Sequence, residues 1–243
     1  MAGELYSIDK MVLFGGPARR TMTVHSPEDL QRIYGARFSG NLDYRVRVWT
    51  VLIADWFAKY VKTTDSVLDL GCGYGEFINT VQCAEKFAMD LNPDAPRFLG
   101  ASVKLFQQDC STRWPLPDAS LDVVFTSNFF EHLPDKSGLG RTLDEIRRCL
   151  RPGGRLVALG PNIKYLPGAY WDFWDHYIPL TELSLKEALV TRGLRVDVCV
   201  GRFLPYTMAS GPQYPVRFLR AYLRLPFMWR LFGKQFLVVG IRP

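Results

Sequence analysis

The sequence predicts a single doubly wound, Rossmann-like α/β domain with a seven-stranded sheet whose last strand is antiparallel. From residue 65 to residue 200, short apolar runs alternate with helical patterns, which is the spacing of strand-helix units stacked on a parallel sheet. The first apolar run ends in a glycine-rich turn, DLGCGYG at residues 69–75, which leads directly into a helical pattern. A chain of 243 residues is long enough to bury the core of such a domain without disulfides or metals.

The candidate strands, in chain order, are the segments SVLDL, KFAMD, VKLFQQD, LDVVFTSN, RLVALGPN, LRVDVCV and QFLVVGIRP. The segments EFINTVQCA, TLDEIRRCLR and LTELSLKEALVTRG between them are predicted helices. The last of these starts at Thr181 and Glu182 and stops at Gly193, which are typical helix boundary residues. RPGG at residues 151–154 is a clear turn from a helix into a strand.

The remaining segments are expected to surround this core as a cap. Residues 1–40 show weak periodicity and are interpreted as an irregular arm or flap, and residues 41–162 hold the cofactor-binding core, whose first helix covers residues 41–61. Residues 163–180 form an aromatic substrate insert, and residues 181–200 form a helix and a strand. Residues 201–235 form a basic helical insert before the last strand at residues 236–243.

Composition indicates a reduced, cytoplasmic protein. The five cysteines are odd in number, widely spaced and without a C-x-x-C pair, which argues against a disulfide framework and against a cysteine zinc site. Residues 1–30 lack the pattern of a signal peptide, and the most apolar stretch is interrupted by Asp55 and Lys59. We therefore predict neither export nor a membrane span, and no metal in the functional site.

The net charge of +6 is concentrated near the end of the chain. Residues 201–243 contain seven basic residues and no acidic ones. Arg217, Arg220 and Arg224 are three and four apart, and therefore share one helical face. This pattern fits peripheral association with an anionic membrane through residues 216–234, or a grip on a phosphate-bearing acceptor. It fits equally a helical hairpin that packs its aromatic residues on the core; nucleic acid is not favoured, because no RNA-binding module is found.

The glycine-rich turn is the strongest functional signal in the sequence. Three alternating glycines allow positive φ values and a close backbone approach to a ligand. The dinucleotide pattern G-x-G-x-x-G does not fit, because the third glycine, Gly75, comes one position early and Glu76 stands at the place of the last glycine. A carboxylate at that position would compete with a phosphate for the amides at the start of the helix.

Asp69-Leu70-Gly71-Cys72-Gly73-Tyr74-Gly75 resembles motif I of the class I S-adenosylmethionine-dependent methyltransferases. The resemblance implies S-adenosylmethionine as cofactor and a sheet of order 3-2-1-4-5-7-6. It also places Asp90 at the ribose hydroxyls and Asp109 at the adenine amino group. The cofactor-binding residues that it implies are Asp69, Gly71, Cys72, Gly73, Gly75, Asp90, Leu91, Asp109, Cys110 and Ser127.

The acceptor is less well defined by the sequence. A hydroxyl acceptor benefits from a base, and His132 and His176 are the candidates; His176 is flanked by Asp175, which would orient it. His25 is interpreted as a surface residue. SNFF at residues 127–130 lacks the N-P-P-Y pattern of adenine- and glutamine-methylating relatives, so no nucleobase or amide acceptor is predicted.

Other features favour a small or glycan-type acceptor. The basic segment also resembles, more loosely, methyltransferases associated with bacterial surface polysaccharides. The candidate substrate-binding residues are Tyr170, Trp174, His176, Tyr177 and Arg217. N-methylation of an amino sugar or another small amine, and a non-catalytic protein that binds S-adenosylmethionine, remain as alternatives.

Overall fold

The computed structural model describes residues 27–38, 42–206 and 213–243. Seven strands form one sheet of order β3-β2-β1-β4-β5-β7-β6, in which β7 runs antiparallel to β5 and β6. The predicted strands, their order and the antiparallel last strand are therefore confirmed. The strands are β1 (Ser66–Leu70), β2 (Glu85–Met89), β3 (Val103–Phe106), β4 (Leu121–Ser127), β5 (Leu150–Pro161), β6 (Arg195–Val200) and β7 (Gln235–Ile241).

Helices cover both faces of this sheet. They are α1 (Pro27–Phe38), α2 (Leu42–Asp55), α3 (Glu76–Thr80), α4 (Lys136–Cys149), α5 (Glu182–Thr191), α6 (Val216–Leu223) and α7 (Pro226–Phe232). The break between α6 and α7 falls before Pro226, where the missing amide hydrogen prevents a continuous helix.

The structure differs from the sequence-based prediction in four helices, one of which is α2: it ends at Asp55 and is followed by a 3-10 helix at Phe57–Tyr60, instead of continuing to residue 61. Residues 27–38, predicted as part of an irregular arm, form α1, whose first turn carries Glu28 and Asp29 at the positive end of the helix dipole. Helix α4 begins at Lys136 because the side chain of Asp135 accepts a 2.6 Å hydrogen bond from the Gly138 amide. Helix α3 ends at Thr80, earlier than predicted. His25 and the rest of the predicted arm, apart from α1, lie outside the described residues.

The core consists of two layers on opposite faces of the sheet. Alternate side chains of β4 point to opposite faces, so that Val124 packs in the layer beneath α4 and α5, whereas Val123 and Phe125 pack in the layer beneath α2 and α3. Both faces of the central strands are thus buried, as expected for a parallel sheet. Among the described helices, none combines the length and apolar character that a membrane span requires.

Candidate functional site

A cavity of about 550 Å³ opens at the carboxyl ends of the central strands. In sheets of this type, ligands bind beyond the carboxyl ends of the strands. Nine of the ten predicted cofactor-binding residues line this cavity; the exception is Gly75, which instead precedes the first turn of α3. Strand ends that are distant in sequence are therefore brought to one place. Helices α1 and α2 close the cavity with Tyr34, Arg37, Arg45 and Trp49.

The glycine-rich turn requires glycine at three positions. Gly71, Gly73 and Gly75 have φ values of +70°, +55° and +76°, in the left-handed region that other residues rarely adopt. The amides of Gly71 and Cys72 donate hydrogen bonds of 2.8 and 3.3 Å to the carbonyl oxygen of Met89 at the end of β2. These bonds fold the turn back over the neighbouring strand and shape the floor of the cavity.

Replacement of Gly71 by alanine is expected to destabilise the protein by about 3 kcal/mol and to weaken cofactor binding. The left-handed backbone alone costs a non-glycine residue roughly 1–2 kcal/mol, and a Cβ atom at this position would also overlap the Phe129 side chain. Gly153→Ala is the matched control, because Gly153 has φ +79° but no atom within 4 Å of the position that the alanine methyl group would take. Urea denaturation measures the loss of stability in both variants. Equal losses of unfolding free energy in the two variants would contradict the packing contribution of Gly71.

Asp90 is held rigidly at the edge of the cavity. Its Oδ2 accepts a 2.7 Å hydrogen bond from the Gly73 amide, and its Oδ1 accepts a 2.8 Å bond from the Asn92 amide. The Tyr34 hydroxyl lies 3.5 Å from Oδ2. Burial raises the pKa of Asp90 above its ordinary value, although the bonds from Asn92 and Gly73 oppose the shift. The carboxylate therefore links the glycine turn to the end of β2.

Three buried carboxylates give this end of the cavity an affinity for positive charge. Burial, followed by the charges of Glu76 and Asp90, raises the pKa of Asp69 well above its ordinary value. Arg45 forms an ion pair with Glu76 and compensates part of the charge. A ligand with a sulfonium and an ammonium group fits these surroundings, whereas a dinucleotide diphosphate would place like charges together. These carboxylates thus fit S-adenosylmethionine.

Asp109 and Cys110 follow β3 in the chain and line one wall of the cavity. Asp109 Oδ1 accepts a 2.8 Å hydrogen bond from the Ser111 amide, which fixes the turn after the strand. Burial raises the pKa of the Cys110 thiol to about 12, and its sulfur lies 3.3 Å from the Thr142 hydroxyl oxygen. Cys110 is therefore a neutral thiol that contributes shape to the wall and no nucleophile.

A second hydrogen-bonded network, around His132 and Asp175, also lines the cavity. His132 Nδ1 lies 2.9 Å from the backbone oxygen of Asp175 and 3.2 Å from its carboxylate Oδ2. Arg37 of α1 donates two hydrogen bonds, of 2.9 and 2.5 Å, to the same carboxylate. Asp175 thus orients His132 and leaves its Nε2 for proton exchange. The prediction that Asp175 orients His176 is wrong, because the loop after β4 packs directly against the aromatic insert.

The charge of Asp175 sets the protonation of its neighbours. Burial alone would lower the pKa of His132, but the hydrogen bond and charge of Asp175, together with Glu131, outweigh it and raise that pKa above its ordinary value. Burial would also raise the pKa of Asp175, but the bonds from His132 and Arg37 lower it. His132 is therefore the stronger base of the two histidines that line the cavity.

His176 lies next to His132, with 4.9 Å between the ring centroids. Burial and the charge of His132 lower the pKa of His176 to about 4, so the ring is neutral near pH 7. Burial raises the pKa of Glu131 to about 7. Candidate ligand atoms of Glu131, His132 and His176 lie within 4.8 Å of one another, and this group could hold a cation. The prediction of a metal-free site thus stays a prediction.

Four of the predicted substrate-binding residues lie away from the cavity. Tyr170 is fully buried, and its hydroxyl donates to the Ile178 carbonyl. Trp174 is 85% exposed, and Tyr177 packs against the core beside α4 and α5. Arg217 lines a separate cleft. His176 alone of this set lines the cavity.

Several cavity residues gave no signal in the sequence. Tyr34 and Arg37 belong to α1, in a segment of weak periodicity, and Arg45 belongs to α2, which was predicted as a helix without a role in the site. Phe173 and Tyr206 line the acceptor side, with ring centroids 5.8 Å apart. Glu131 directly precedes His132, a candidate base, and this position next to His132 was the one available hint.

Comparisons with known proteins show which proteins this chain resembles. Residues 68–158 match the family model described as a methyltransferase domain. The chain is 31% identical over 143 residues to a probable S-adenosylmethionine-dependent methyltransferase of Mycolicibacterium smegmatis, covering 56% of this chain and 54% of the relative. It is 32% identical over 111 residues to 27-O-demethylrifamycin SV methyltransferase of Amycolatopsis mediterranei, covering 41% and 39%.

Phosphoethanolamine N-methyltransferase 1 of Arabidopsis thaliana is 33% identical over 109 residues, covering 40% of this chain and 21% of the relative. The chain thus spans about half or less of the length of these curated relatives. A crystal structure of an S-adenosylmethionine-dependent methyltransferase from Archaeoglobus fulgidus has the same fold, with a TM-score of 0.64, 23% identity, and coverage of 86% and 98%. Residues 68–158 therefore match a methyltransferase domain, and the chain resembles S-adenosylmethionine-dependent methyltransferases in sequence and in fold, a similarity that indicates S-adenosylmethionine as the cofactor.

Proposed function

We propose that the protein transfers a methyl group to a hydroxyl of a small-molecule or glycan-type acceptor, with His132 as the general base. The observation that carries the proposal is the chain of contacts from Arg37 through Asp175 to His132, on the wall of the cavity that also holds Asp90. When bound, the cofactor supplies an electrophilic methyl group.

The residues of the chain have separate roles in this proposal. Asp175 holds His132 in one tautomer, so that the other ring nitrogen takes the hydroxyl proton as the new bond forms. Arg37 keeps Asp175 ionised and closes the cavity from α1. The aromatic side chains of Phe129, Phe173 and Tyr206 exclude water and offer flat apolar surfaces to the acceptor. A sugar ring or a small aromatic alcohol fits such surfaces.

Two comparisons bear on the acceptor without deciding it. The name of the Amycolatopsis relative refers to an oxygen acceptor, and that of the Arabidopsis relative to a nitrogen acceptor. An amine needs only desolvation before transfer, whereas a hydroxyl needs a proton acceptor. The oriented His132 therefore favours the hydroxyl, and N-methylation is the alternative.

A screen with methyl-labelled S-adenosylmethionine tests this proposal. The purified protein is incubated with sugars, nucleotide sugars, lipid extracts and small amines, each in parallel with His132→Ala. We expect label in a hydroxyl-bearing compound with the wild type and almost none with the variant. Label only in amines, at equal rates in both proteins, would replace the proposal by N-methylation. Tight binding of S-adenosylhomocysteine without any transfer would favour a non-catalytic role.

The same screen is run with EDTA, because Glu131, His132 and His176 could hold a cation. With His132 as a base, transfer proceeds unchanged after metal removal. If EDTA abolished transfer and a divalent cation restored it, a metal bound by these three residues would take over the role proposed for His132.

A further inference from the structure

Helices α6 and α7, with the residues before and after them, present an apolar surface to solvent. We name residues 213–234 the α6–α7 surface. Phe218, Phe227, Leu231 and Phe232 are 55%, 59%, 67% and 53% exposed. Within the described residues, six of the twelve exposed large apolar side chains belong to this surface. Isolated exposed apolar residues are common, but such a concentration marks an interaction surface.

The opposite side of these helices is firmly packed on the domain. The Trp229 ring lies 4.9 Å from Trp56 and 5.1 Å from Phe203, and its Nε1 donates a 2.9 Å bond to the Tyr222 carbonyl. Phe227 and Leu231 stand two residues before and after Trp229, which places them on the opposite face of the helix. Their exposure therefore follows from the fixed orientation of α7.

The α6–α7 surface is also strongly basic. It carries Arg217, Arg220, Arg224, Arg230 and Lys234, and residues 201–243 contain no Asp or Glu. Arg220 Nε lies 3.5 Å from Asp55. The other four basic side chains form no ion pair with any residue that the structure describes. Their charge is therefore open to an external partner.

The basic character continues onto α2. Tyr44 and Arg47 of α2, together with Tyr214 and Arg217, line a shallow cleft between the two parts of the chain. Two arginines beside one cleft suit a phosphate group, which accepts bonds from both. A bilayer of anionic phospholipid has phosphate groups at its surface and apolar acyl chains directly beneath them, and therefore offers partners to both kinds of side chain.

Other occupants account for only part of these observations. A second copy of the chain would bring two basic surfaces together, and like charges oppose that contact. Nucleic acid would use the arginines but leave Leu231 and Phe227 without partners. A sheet of anionic headgroups satisfies the basic side chains and accommodates the apolar ones beneath them.

We propose that the α6–α7 surface docks the protein on an anionic phospholipid bilayer. Phe218, Phe227 and Leu231 enter the interface between headgroups and acyl chains, while Arg217 and Arg224 contact phosphates. The surface is separate from the cavity, so the docking proposal does not depend on the identity of the methyl acceptor.

Co-sedimentation with lipid vesicles tests the proposal. The full chain is mixed with vesicles of phosphatidylcholine alone and with vesicles that also contain phosphatidylglycerol, at low salt and at about 0.5 M salt. We expect binding to the anionic vesicles only, weakened by salt. Phe227→Ser combined with Leu231→Ser, and Arg217→Glu combined with Arg224→Glu, are each expected to weaken binding at least about tenfold, since one basic residue near the surface contributes about fivefold.

Matched controls separate this surface from general charge and apolar exposure. Lys104→Glu with Lys186→Glu changes the net charge equally, and Leu183→Ser with Val190→Ser removes two apolar side chains that are 55% and 53% exposed on α5. Both controls should bind vesicles as the wild type does. A wild type that stays in the supernatant, or equal weakening in variants and controls, would overturn the proposal. So would a monomer-dimer change, seen by sedimentation equilibrium, that accounts for the effect of Phe227→Ser with Leu231→Ser.

Discussion

Replacement of His132 by alanine is expected to lower kcat for a hydroxyl acceptor by about 100- to 10,000-fold, the range that general-base catalysis contributes. Binding of S-adenosylhomocysteine should change little, because the described hydrogen bonds and ion pairs of His132 are with Phe129, Glu131 and Asp175 and not with Asp90 or the glycine turn. The measurement is steady-state methyl transfer to the acceptor that the screen identifies, together with calorimetric titration. A variant with full kcat would remove His132 from the role of base.

The pH dependence of kcat tests the role of His132 as a base. A base is active when deprotonated, so kcat should fall as the pH drops through the pKa of His132, which lies above its ordinary value of 6.5. Asp175→Asn removes the main interaction that raises this pKa, so the acidic limb should move to lower pH while the maximum rate falls. A mere loss of folding would lower the rate without moving the limb.

His176→Phe is the matched control for the pH profile. The pKa of His176 is lowered to about 4, whereas that of His132 is raised above its ordinary value, so the two rings titrate in different pH ranges. Phenylalanine preserves the stacking on Phe173, whose ring centroid lies 4.8 Å away. The acidic limb should therefore keep a similar midpoint in this variant. Loss of the limb in His176→Phe, with His132→Ala retaining it, would assign the base to His176.

Replacement of Asp90 by alanine is expected to weaken S-adenosylhomocysteine binding about 100-fold or more, which corresponds to roughly 3 kcal/mol. The variant loses the charged acceptor that faces the cavity, and it leaves the amides of Gly73 and Asn92 without their partner. A buried donor without a partner costs about 1–3 kcal/mol. Both effects act on the same turn, so the loss in affinity should be larger than for any other single carboxylate of the site.

Asp94→Ala is the matched control for Asp90→Ala. Asp94 belongs to the same turn after β2, pairs with Arg97 at 2.8 Å and does not line the cavity. Calorimetric titration should give a dissociation constant within about twofold of the wild type for this control, as expected for a pair near the surface. Asp90→Asn, which keeps the shape of the side chain, tests whether the charge itself is needed. Unchanged affinity in both Asp90 variants would contradict the assignment of Asp90 to the cofactor.

The sheet and the cofactor half of the cavity were predictable because their signals are local. A strand followed by a glycine turn and a helix is encoded within residues 66–80, and the acidic residues Asp90 and Asp109 each close an apolar run. Parallel strands bring their carboxyl ends to one edge, so the order of elements alone places these groups together. The glycine positions required by positive φ values were also readable, since only glycine fits them without strain.

The acceptor half was not predictable in the same way, because its contacts are between distant parts of the chain. Arg37 and Asp175 are 138 residues apart, and His132 and Asp175 are 43 residues apart. The sequence favoured the neighbouring pair Asp175 and His176. The structure pairs Asp175 with His132 instead, because the amides of Tyr177 and Ile178 donate to the Glu131 carbonyl and fix the insert against the loop after β4.

By itself, the sequence determined the doubly wound sheet, its glycine turn and the carboxylates beside that turn, because each depends on residues that are neighbours in the chain or in the order of strands. Only the tertiary structure decided which histidine an aspartate orients, which aromatic side chains face the acceptor and which side of α7 remains exposed. These features depend on how separate segments pack against one another, and side-chain packing of that kind leaves no periodic pattern along the chain.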